Sequence, residues 1–261
     1  MQKNSYAFEK IAHRGASAEA PENTLPAIQL AVEKYKVDWV EIDLWLSKEG
    51  VPVVIHDETL DRTTDGKGRV GHYTLQELKK YDAGFWFDPN GRKTFLHRGK
   101  SVRIPTLEEV LTQFPDTAFY LDVKEKDIKC AEKIFCVTQK IPRKGNLIVS
   151  SFEGRVARAL RRHAPSSIES FFALDEIRWT YFLFRLGIKK FSPPARYASL
   201  PLTDHGFHLD DPRWISFLHC HNVKIFYWTV DEMEKMKELI QRKAEGIVSN
   251  FPDRLNQLFR N

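Results

Sequence analysis

Residues 8–46 read FEKIAHRGASAEAPENTLPAIQLAVEKYKVDWVEIDLWL. The apolar run Phe8–His13 ends in His-Arg-Gly and gives way to a loop of small residues. A helix follows, with Asn23 or Thr24 as its cap and Pro26 in its first turn. A second β-branched and aromatic run, Trp39–Leu46, comes next. Strand, helix, strand at this spacing is the unit that joins parallel neighbours in one sheet.

The same alternation continues outward. Further strand candidates lie at Val51–His56, Ala118–Val123, Leu147–Phe152, Ile168–Ala173, Val223–Val230 and Gly246–Ser249, most of them followed by a helical pattern. Thr106-Leu107-Glu108-Glu109 has capping-box spacing and Asp231 to Glu234 repeats it. Asp211-Pro212 and Phe251-Pro252 put proline at a first helical position. An open sheet and a closed barrel share this periodicity, and eight strand candidates suit a barrel. One interval breaks the rhythm. Between His56 and Thr106 the turn signals Asp65-Gly66-Lys67-Gly68, Ala83-Gly84 and Pro89-Asn90-Gly91 surround Phe85-Trp86-Phe87, which reads as an insertion over one end of the sheet at about 57–104. No linker or internal repeat divides the chain, so 1–261 is expected to be a single domain.

Composition sets the limits. Of 261 residues 42% are hydrophobic and 29% charged, enough for a sizeable core. The 40 Lys and Arg against 35 Asp and Glu give +5, spread without blocks; this indicates no nucleic-acid partner and leaves room for an anionic substrate or lipid surface. Cys130, Cys136 and Cys220 lack CxxC spacing, and the first two fall in one helical pattern, so neither a disulfide framework nor a thiolate metal site is expected. The opening MQKNSYAFEK has no apolar core of a secretory leader, and no run reaches about 18 apolar residues. The expected location is the cytoplasm, with peripheral contact to a membrane. No protein partner is expected.

Polar residues at strand ends carry the chemistry. In a parallel α/β fold these ends face the active site. His13-Arg14 ends the first strand. Glu41 and Asp43 alternate in WVEIDLWL and so share one face. Two carboxylates on an inward face are costly without a cation, and an all-oxygen donor set suits Mg²⁺ or Ca²⁺. His56-Asp57 ends the next candidate, and Asp122-Val123-Lys124 repeats the period-two geometry. Two imidazoles, three carboxylates, a guanidinium and an ammonium suit a metal-bound anionic substrate flanked by proton carriers. The other seven histidines, in helices and loops, are read as structural.

At these residues the sequence resembles the glycerophosphodiester phosphodiesterase family. The matching text is AHRGASAEAPENTLPAIQLA, VEIDLWLSKEGVPVVIHDETLDRTTDGKG, IPTLEEVL, YLDVK, IVSSF, YWTVDE and EGIVSNFPDRL, spread over nearly the whole chain. The resemblance implies a TIM (β/α)8 barrel with a small insertion after the second strand. The implied reaction is metal-dependent hydrolysis of a glycerophosphodiester to glycerol 3-phosphate and an alcohol. It implies His13 and His56 as the acid–base pair, Arg14 and Lys124 as phosphate contacts, and Glu41, Asp43 and Asp122 as ligands of one divalent cation. It also implies internal attack by a glycerol hydroxyl through a cyclic phosphate, where the sequence alone allows direct attack by water too. The family usually has Glu in an E-x-K pattern where this chain has Asp122, one methylene shorter, which bears on metal affinity more than on reaction type.

Two rival readings share the barrel. A lysophospholipase D-like enzyme would act on lysophospholipids at a membrane surface. Between Phe171 and Leu202 the residues Trp179, Tyr181, Phe182, Phe184 and Phe191 interleave with Arg178, Arg185, Lys189, Lys190 and Arg196. This pattern suits an amphipathic element at a lipid headgroup layer, or a barrel helix packing its aromatics inward. A non-catalytic binding protein on the same fold is disfavoured, because His13, His56, Glu41 and Asp43 are all present.

Overall fold

The computed structural model describes residues 8–259; the opening segment read above falls, up to residue 7, outside them. Eight parallel strands build the barrel: β1 (Glu9–His13), β2 (Trp39–Leu46), β3 (Ala118–Val123), β4 (Leu147–Ser150), β5 (Ile168–Ser170), β6 (Tyr197–Pro201), β7 (Lys224–Trp228) and β8 (Gly246–Ser249). Each is followed by a helix: α1 (Leu25–Gln29, continued by a π turn, Leu30–Lys34), α2 (Leu107–Gln113), α3 (Cys130–Lys140), α4 (Gly154–His163), α5 (Leu174–Arg185), α6 (Pro212–Cys220), α7 (Met233–Gln241) and α8 (Pro252–Gln257). Neighbours run β5-β4-β3-β2-β1-β8-β7-β6. The last seam, between β5 and β6, is bridged at Phe171 and Tyr197, where the Phe172 amide donates to the Tyr197 carbonyl at 2.9 Å. The fold is a nearly closed (β/α)8 barrel.

The barrel's membership differs from the sequence reading at two places. Val51–His56 is not a barrel strand. Only Pro52–Val54 is extended, and it pairs antiparallel with the far half of β2, Leu44 opposite Val54 and Leu46 opposite Pro52. Ser47 and Gly50 make the turn between them, and the hairpin lays the chain back over the barrel mouth, where the Ile55 amide donates to the Asp43 carbonyl at 3.1 Å. The eighth barrel strand is instead Tyr197–Pro201, inside the stretch read as amphipathic. Its Ala198 and Ser199 have little strand preference, and a proline ends it, so local pattern alone is weak there.

Alternation along each strand separates two layers. Side chains of odd parity on β1 and β2 and of even parity on β3 and β4 point inward. At the entry end Ile11, Trp39 and Ile148 from these strands form one buried cluster with Tyr120, Phe171, Phe226 and Val248. The rings of Phe171 and Phe226 lie 5.6 Å apart and those of Tyr120 and Phe171 4.5 Å. Room for this aromatic floor comes partly from Gly246, where a Cβ would stand 2.7 Å from the Ile11 side chain and 2.8 Å from that of Phe226. Toward the exit end the inward positions turn polar. Outward-facing residues of the strands meet the helices in two larger apolar clusters, centred on α1–α4 and on α5–α8.

Helix starts follow their caps. Thr106 accepts from the Glu109 amide at 3.1 Å, and the Glu109 carboxylate accepts from the Thr106 amide at 2.7 Å. Asp211 accepts from the Arg213 amide at 2.8 Å ahead of Pro212, and Pro252 opens α8. Thr24, rather than Asn23, caps α1. The expected cap at Asp231 is absent: α7 begins after Glu232, and the Asp231 carboxylate is taken by Ser249 and Asn250. Among the described residues no helix is long and apolar enough to cross a membrane.

Candidate active site

Strand register assembles the polar layer. His13 stands opposite Glu41 and Glu41 opposite Tyr120; one layer on, Asp43 stands opposite Asp122 and Asp122 opposite Ser150. Parallel partners point their side chains the same way, so these groups converge. All seven residues singled out from the sequence, His13, Arg14, Glu41, Asp43, His56, Asp122 and Lys124, line one cavity of about 150 Å³ at the exit end. Tyr120, Phe152, Trp228 and Thr229 complete it.

The carboxylates set its electrostatics. Glu41, Asp43 and Asp122 are all buried, and one oxygen from each lies within 4.8 Å of the others. Burial over the aromatic floor, then the neighbouring Asp43, pushes the Glu41 carboxyl well above the usual range. Burial works the same way on Asp43, but Lys124 and Arg14 outweigh it and hold that carboxyl low. Lys124 donates to Asp122 at 2.5 Å and lies 3.1 Å from Asp43 Oδ1; against the cost of burial these two carboxylates hold its ammonium charged. Asp122 also accepts from Ser150 at 2.6 Å.

One atom of the trio is left over. Asp43 Oδ2 accepts from Asn23 at 2.7 Å, whereas the buried Oδ1 has no hydrogen-bond donor, because the Lys124 approach is not aligned for one. A buried carboxylate oxygen without a donor, beside two further carboxylates, is what a hard divalent cation requires. The residues present fit such an ion.

Arg14 reaches the site through a strained turn. Its φ is 56°, followed by Gly15 at 81°, where a Cβ would lie 2.6 Å from the Ala27 carbonyl carbon. The turn aims the Arg14 amide at Glu41, 2.9 Å away, and its guanidinium at Glu22, 2.8 Å. Arg14 Nε lies 3.1 Å from Asp43 but is not aligned for a hydrogen bond. Glu22 is shared with Arg62 of the insertion, which also clamps Asp57.

The imidazoles are held from behind. His13 Nδ1 lies 2.7 Å from Asn250 Oδ1, and the Asn250 amide nitrogen donates to Asp231 at 2.7 Å. Asn250 can therefore only accept from His13, so Nδ1 carries the hydrogen and Nε2 faces the cavity, 3.9 Å from Glu41. Burial, then Arg14, lowers the His13 pKa. His56 Nδ1 lies 2.6 Å from Asp57 Oδ1, and its carbonyl accepts from the Trp45 indole at 2.9 Å. Its Nε2 is likewise left for the cavity.

Several supporting residues escaped the sequence reading. Asn23, read as a helix cap, adopts φ 58° and grips Asp43 through both its amide groups. Asn250 and Asp231 sit behind His13, and Phe152 lies under the Lys124 ammonium, 5.0 Å from ring centre. For Asn250, Asp231 and Phe152 the only sequence signal is proximity to strand ends.

Comparison with known proteins gives a consistent result. The glycerophosphoryl diester phosphodiesterase family model matches residues 13–254. A glycerophosphodiester phosphodiesterase of Caldanaerobacter subterraneus is 33% identical over 96% of this chain and 97% of its own length. A human protein named lysophospholipase D is 24% identical over all of this chain and 88% of its own. The solved phosphodiesterase of Oleispira antarctica, in complex with the product sn-glycerol-3-phosphate, superposes with a TM-score of 0.78 at 27% identity, covering 97% of each chain. With that match running from the first strand-end histidine to the last helix, the chain belongs to the glycerophosphoryl diester phosphodiesterase family.

Proposed function

We propose that the chain hydrolyses glycerophosphodiesters to glycerol 3-phosphate and an alcohol in the cavity at the barrel's exit end. The observation that carries this reading is the convergence of His13 Nε2, His56, Arg14 and Lys124 around three buried carboxylates in one cavity. Glu41, Asp43 and Asp122 would hold one divalent cation, Mg²⁺ or Ca²⁺, which when bound supplies a Lewis acid for the phosphate charge.

The chain's own groups do the rest. Arg14 and Lys124 orient the non-bridging phosphate oxygens by charge-assisted hydrogen bonds. His13, its Nε2 bare because Nδ1–H is committed to Asn250, takes the proton from the glycerol hydroxyl beside the phosphate. That oxygen attacks phosphorus and closes a five-membered ring as the bond to the departing alcohol breaks. His56, oriented by Asp57, gives the alcohol oxygen its proton. Water then opens the ring with the roles reversed: His56 takes the water's proton and His13 returns one to the glycerol oxygen.

The working unit is the whole chain, 1–261, as one domain. The insertion at about 57–104 braces the mouth through Arg62, which links Asp57 to Glu22. Peripheral contact with a membrane from the cytoplasm rests on α5 and the turn after it, where Trp179, Phe182 and Leu186 are exposed beside Arg185, Lys189 and Lys190. The test is ³¹P NMR of glycerophosphocholine with purified protein, with and without EDTA. Glycerol 3-phosphate formed through a transient cyclic phosphate, and halted by EDTA, supports the reading. No turnover in excess Mg²⁺ or Ca²⁺ sinks it.

A further inference from the structure

Arg62 ties Glu22 to Asp57 beside the catalytic cavity. It donates to Asp57 through Nε at 2.7 Å and Nη2 at 3.0 Å, and to Glu22 through Nη1 and Nη2, both at 2.8 Å. One guanidinium thus meets both oxygens of two carboxylates. Each carboxylate also holds a group of the reaction centre. Asp57 Oδ1 lies 2.6 Å from His56 Nδ1, and Glu22 Oε1 accepts from Arg14 Nη1 at 2.8 Å. His56, Asp57, Arg62, Glu22 and Arg14 therefore form one continuous run of contacts, from an imidazole of the acid–base pair to the guanidinium that meets the phosphate.

The turn that carries Arg62 is closed without it. Leu60 and Thr64 on either side are buried, and the Thr64 amide and hydroxyl both donate to the Leu60 carbonyl, at 3.1 and 2.8 Å. Arg62 projects from this turn with 47% of its side chain exposed, where an ion pair adds little to a fold. Its hydrogen bonds act instead on their acceptors. Burial opposes the charge of Glu22, and the hydrogen bonds from Arg62, then Arg14, outweigh it and hold that carboxyl low. The Glu22 charge is divided between two guanidinium groups. Without Arg62 it would fall on Arg14 alone, whose fork would turn to take both Glu22 oxygens and leave the phosphate. Asp57 would lose the donors that fix its plane, and His56 Nδ1–H its fixed acceptor.

We infer that Arg62 is a positioning residue for both halves of the reaction: through Asp57 it fixes the imidazole of His56, and through Glu22 it keeps the Arg14 guanidinium available to the phosphate. This rests on the catalytic reading proposed above and adds to it a residue that does not line the cavity. The two effects separate kinetically. Losing the hold on Asp57 lowers kcat, because the proton reaches the departing alcohol in the transition state. Losing the hold on Glu22 weakens phosphate binding in substrate and product alike, and so raises KM.

The test measures kcat and KM for glycerophosphocholine and, by calorimetry, the affinity for glycerol 3-phosphate, all in excess Mg²⁺ or Ca²⁺. Arg62→Ala should lower kcat and glycerol 3-phosphate affinity each about 10–100-fold, as when a group that orients a reactive side chain is removed, with little change in melting temperature. Guanidinium chloride at a non-denaturing concentration should restore part of both, and sodium chloride should not. Arg62→Lys, which keeps the charge and loses the fork, should stay impaired. In an Asp57→Asn background Arg62→Ala should lower kcat no further, and in a Glu22→Gln background it should leave glycerol 3-phosphate affinity unchanged. Arg69→Ala, which removes an exposed pair with Glu58 in the same insertion, should move neither. Full kcat and affinity in Arg62→Ala overturn the positioning role. So do losses undiminished in both backgrounds, which would come from the charge of Arg62 alone. If the parent protein turns over no diester the catalytic reading fails, and glycerol 3-phosphate binding still decides whether Arg62 acts on Arg14 through Glu22.

Discussion

His13 and His56 illustrate how little of a catalytic side chain's setting is local. Each is oriented by a carboxylate, directly at His56 through Asp57 and at one remove at His13 through Asn250 and Asp231. His13→Ala and His56→Ala should each lower kcat about 10²–10⁴-fold with little change in melting temperature, since a positioned acid or base contributes that much. Activity within a few fold of the parent, in pure protein, would remove that residue from the mechanism. Asp57 gives a pH test. Burial opposes its charge, but Arg62 and His56 outweigh that and hold its pKa down at about 2. A depressed carboxyl adds stability that is present above its unfolded pKa near 4 and disappears as pH falls through about 2. The melting-temperature gap between the parent and Asp57→Asn should therefore be constant from pH 5 to 7 and close toward pH 2; a gap unchanged at pH 2 would contradict the pairing. The charged and imidazole side chains were legible because each lies in or just beyond an extended segment within a recognisable motif. Asn23 was not, because its partner Asp43 lies 20 residues on and its own setting reads as a helix cap.

Elements were legible where local chemistry and burial agree. Thr106 satisfies a capping box that its spacing announces, so Thr106→Ala should cost about 1 kcal/mol, lowering the melting temperature by a few degrees while kcat stays unchanged. A fall in kcat at fixed stability would mean that α2 positions the site. The hairpin Pro52–Val54 and the strand Tyr197–Pro201 were misread for complementary reasons. The first has the β-branched composition of a barrel strand, but a five-residue connection to β2, residues 47–51, can only close an antiparallel pair. The second pairs in parallel with β7 along all five residues although its sequence is small, polar and proline-ended. Helix α3 supplies a chemical check on the packing. Cys130 at its start is buried, and burial, then Glu125 and Asp127, pushes its thiol up to about 12, while Cys136 and Cys220 are exposed. A thiol reagent at pH 8 should label two cysteines in the native protein and the third only on unfolding; three labelled at once would contradict the core around α3.

At the scale of the molecule, the barrel places an aromatic floor beneath a charged ceiling. The floor lowers the local dielectric, which is why Glu41 resists ionisation and why three carboxylates there need cations. Arg14, shared with Glu22, and Lys124 bring positive charge to the three carboxyl groups, and the Asp43 Oδ1 atom is still left without a donor. A divalent ion binds only where β2 and β3 are in register, so it binds the folded state and not the unfolded chain. Linkage then requires it to stabilise the fold by about 2.7 kcal/mol at a hundred times its dissociation constant, a rise of at least about 5 °C in melting temperature for a chain of this size. Chelator-stripped protein titrated with Mg²⁺ or Ca²⁺ should show that rise. Glu41→Gln, which removes one ligand and leaves a neutral isostere, should abolish most of it. Asp122→Glu should keep it and alter the preference between the two ions, because the longer side chain changes the reach of one carboxylate. Stripped protein that keeps full activity, melts at the same temperature with either ion, and carries no metal by elemental analysis would mean that Glu41, Asp43 and Asp122 are balanced by Arg14 and Lys124 alone.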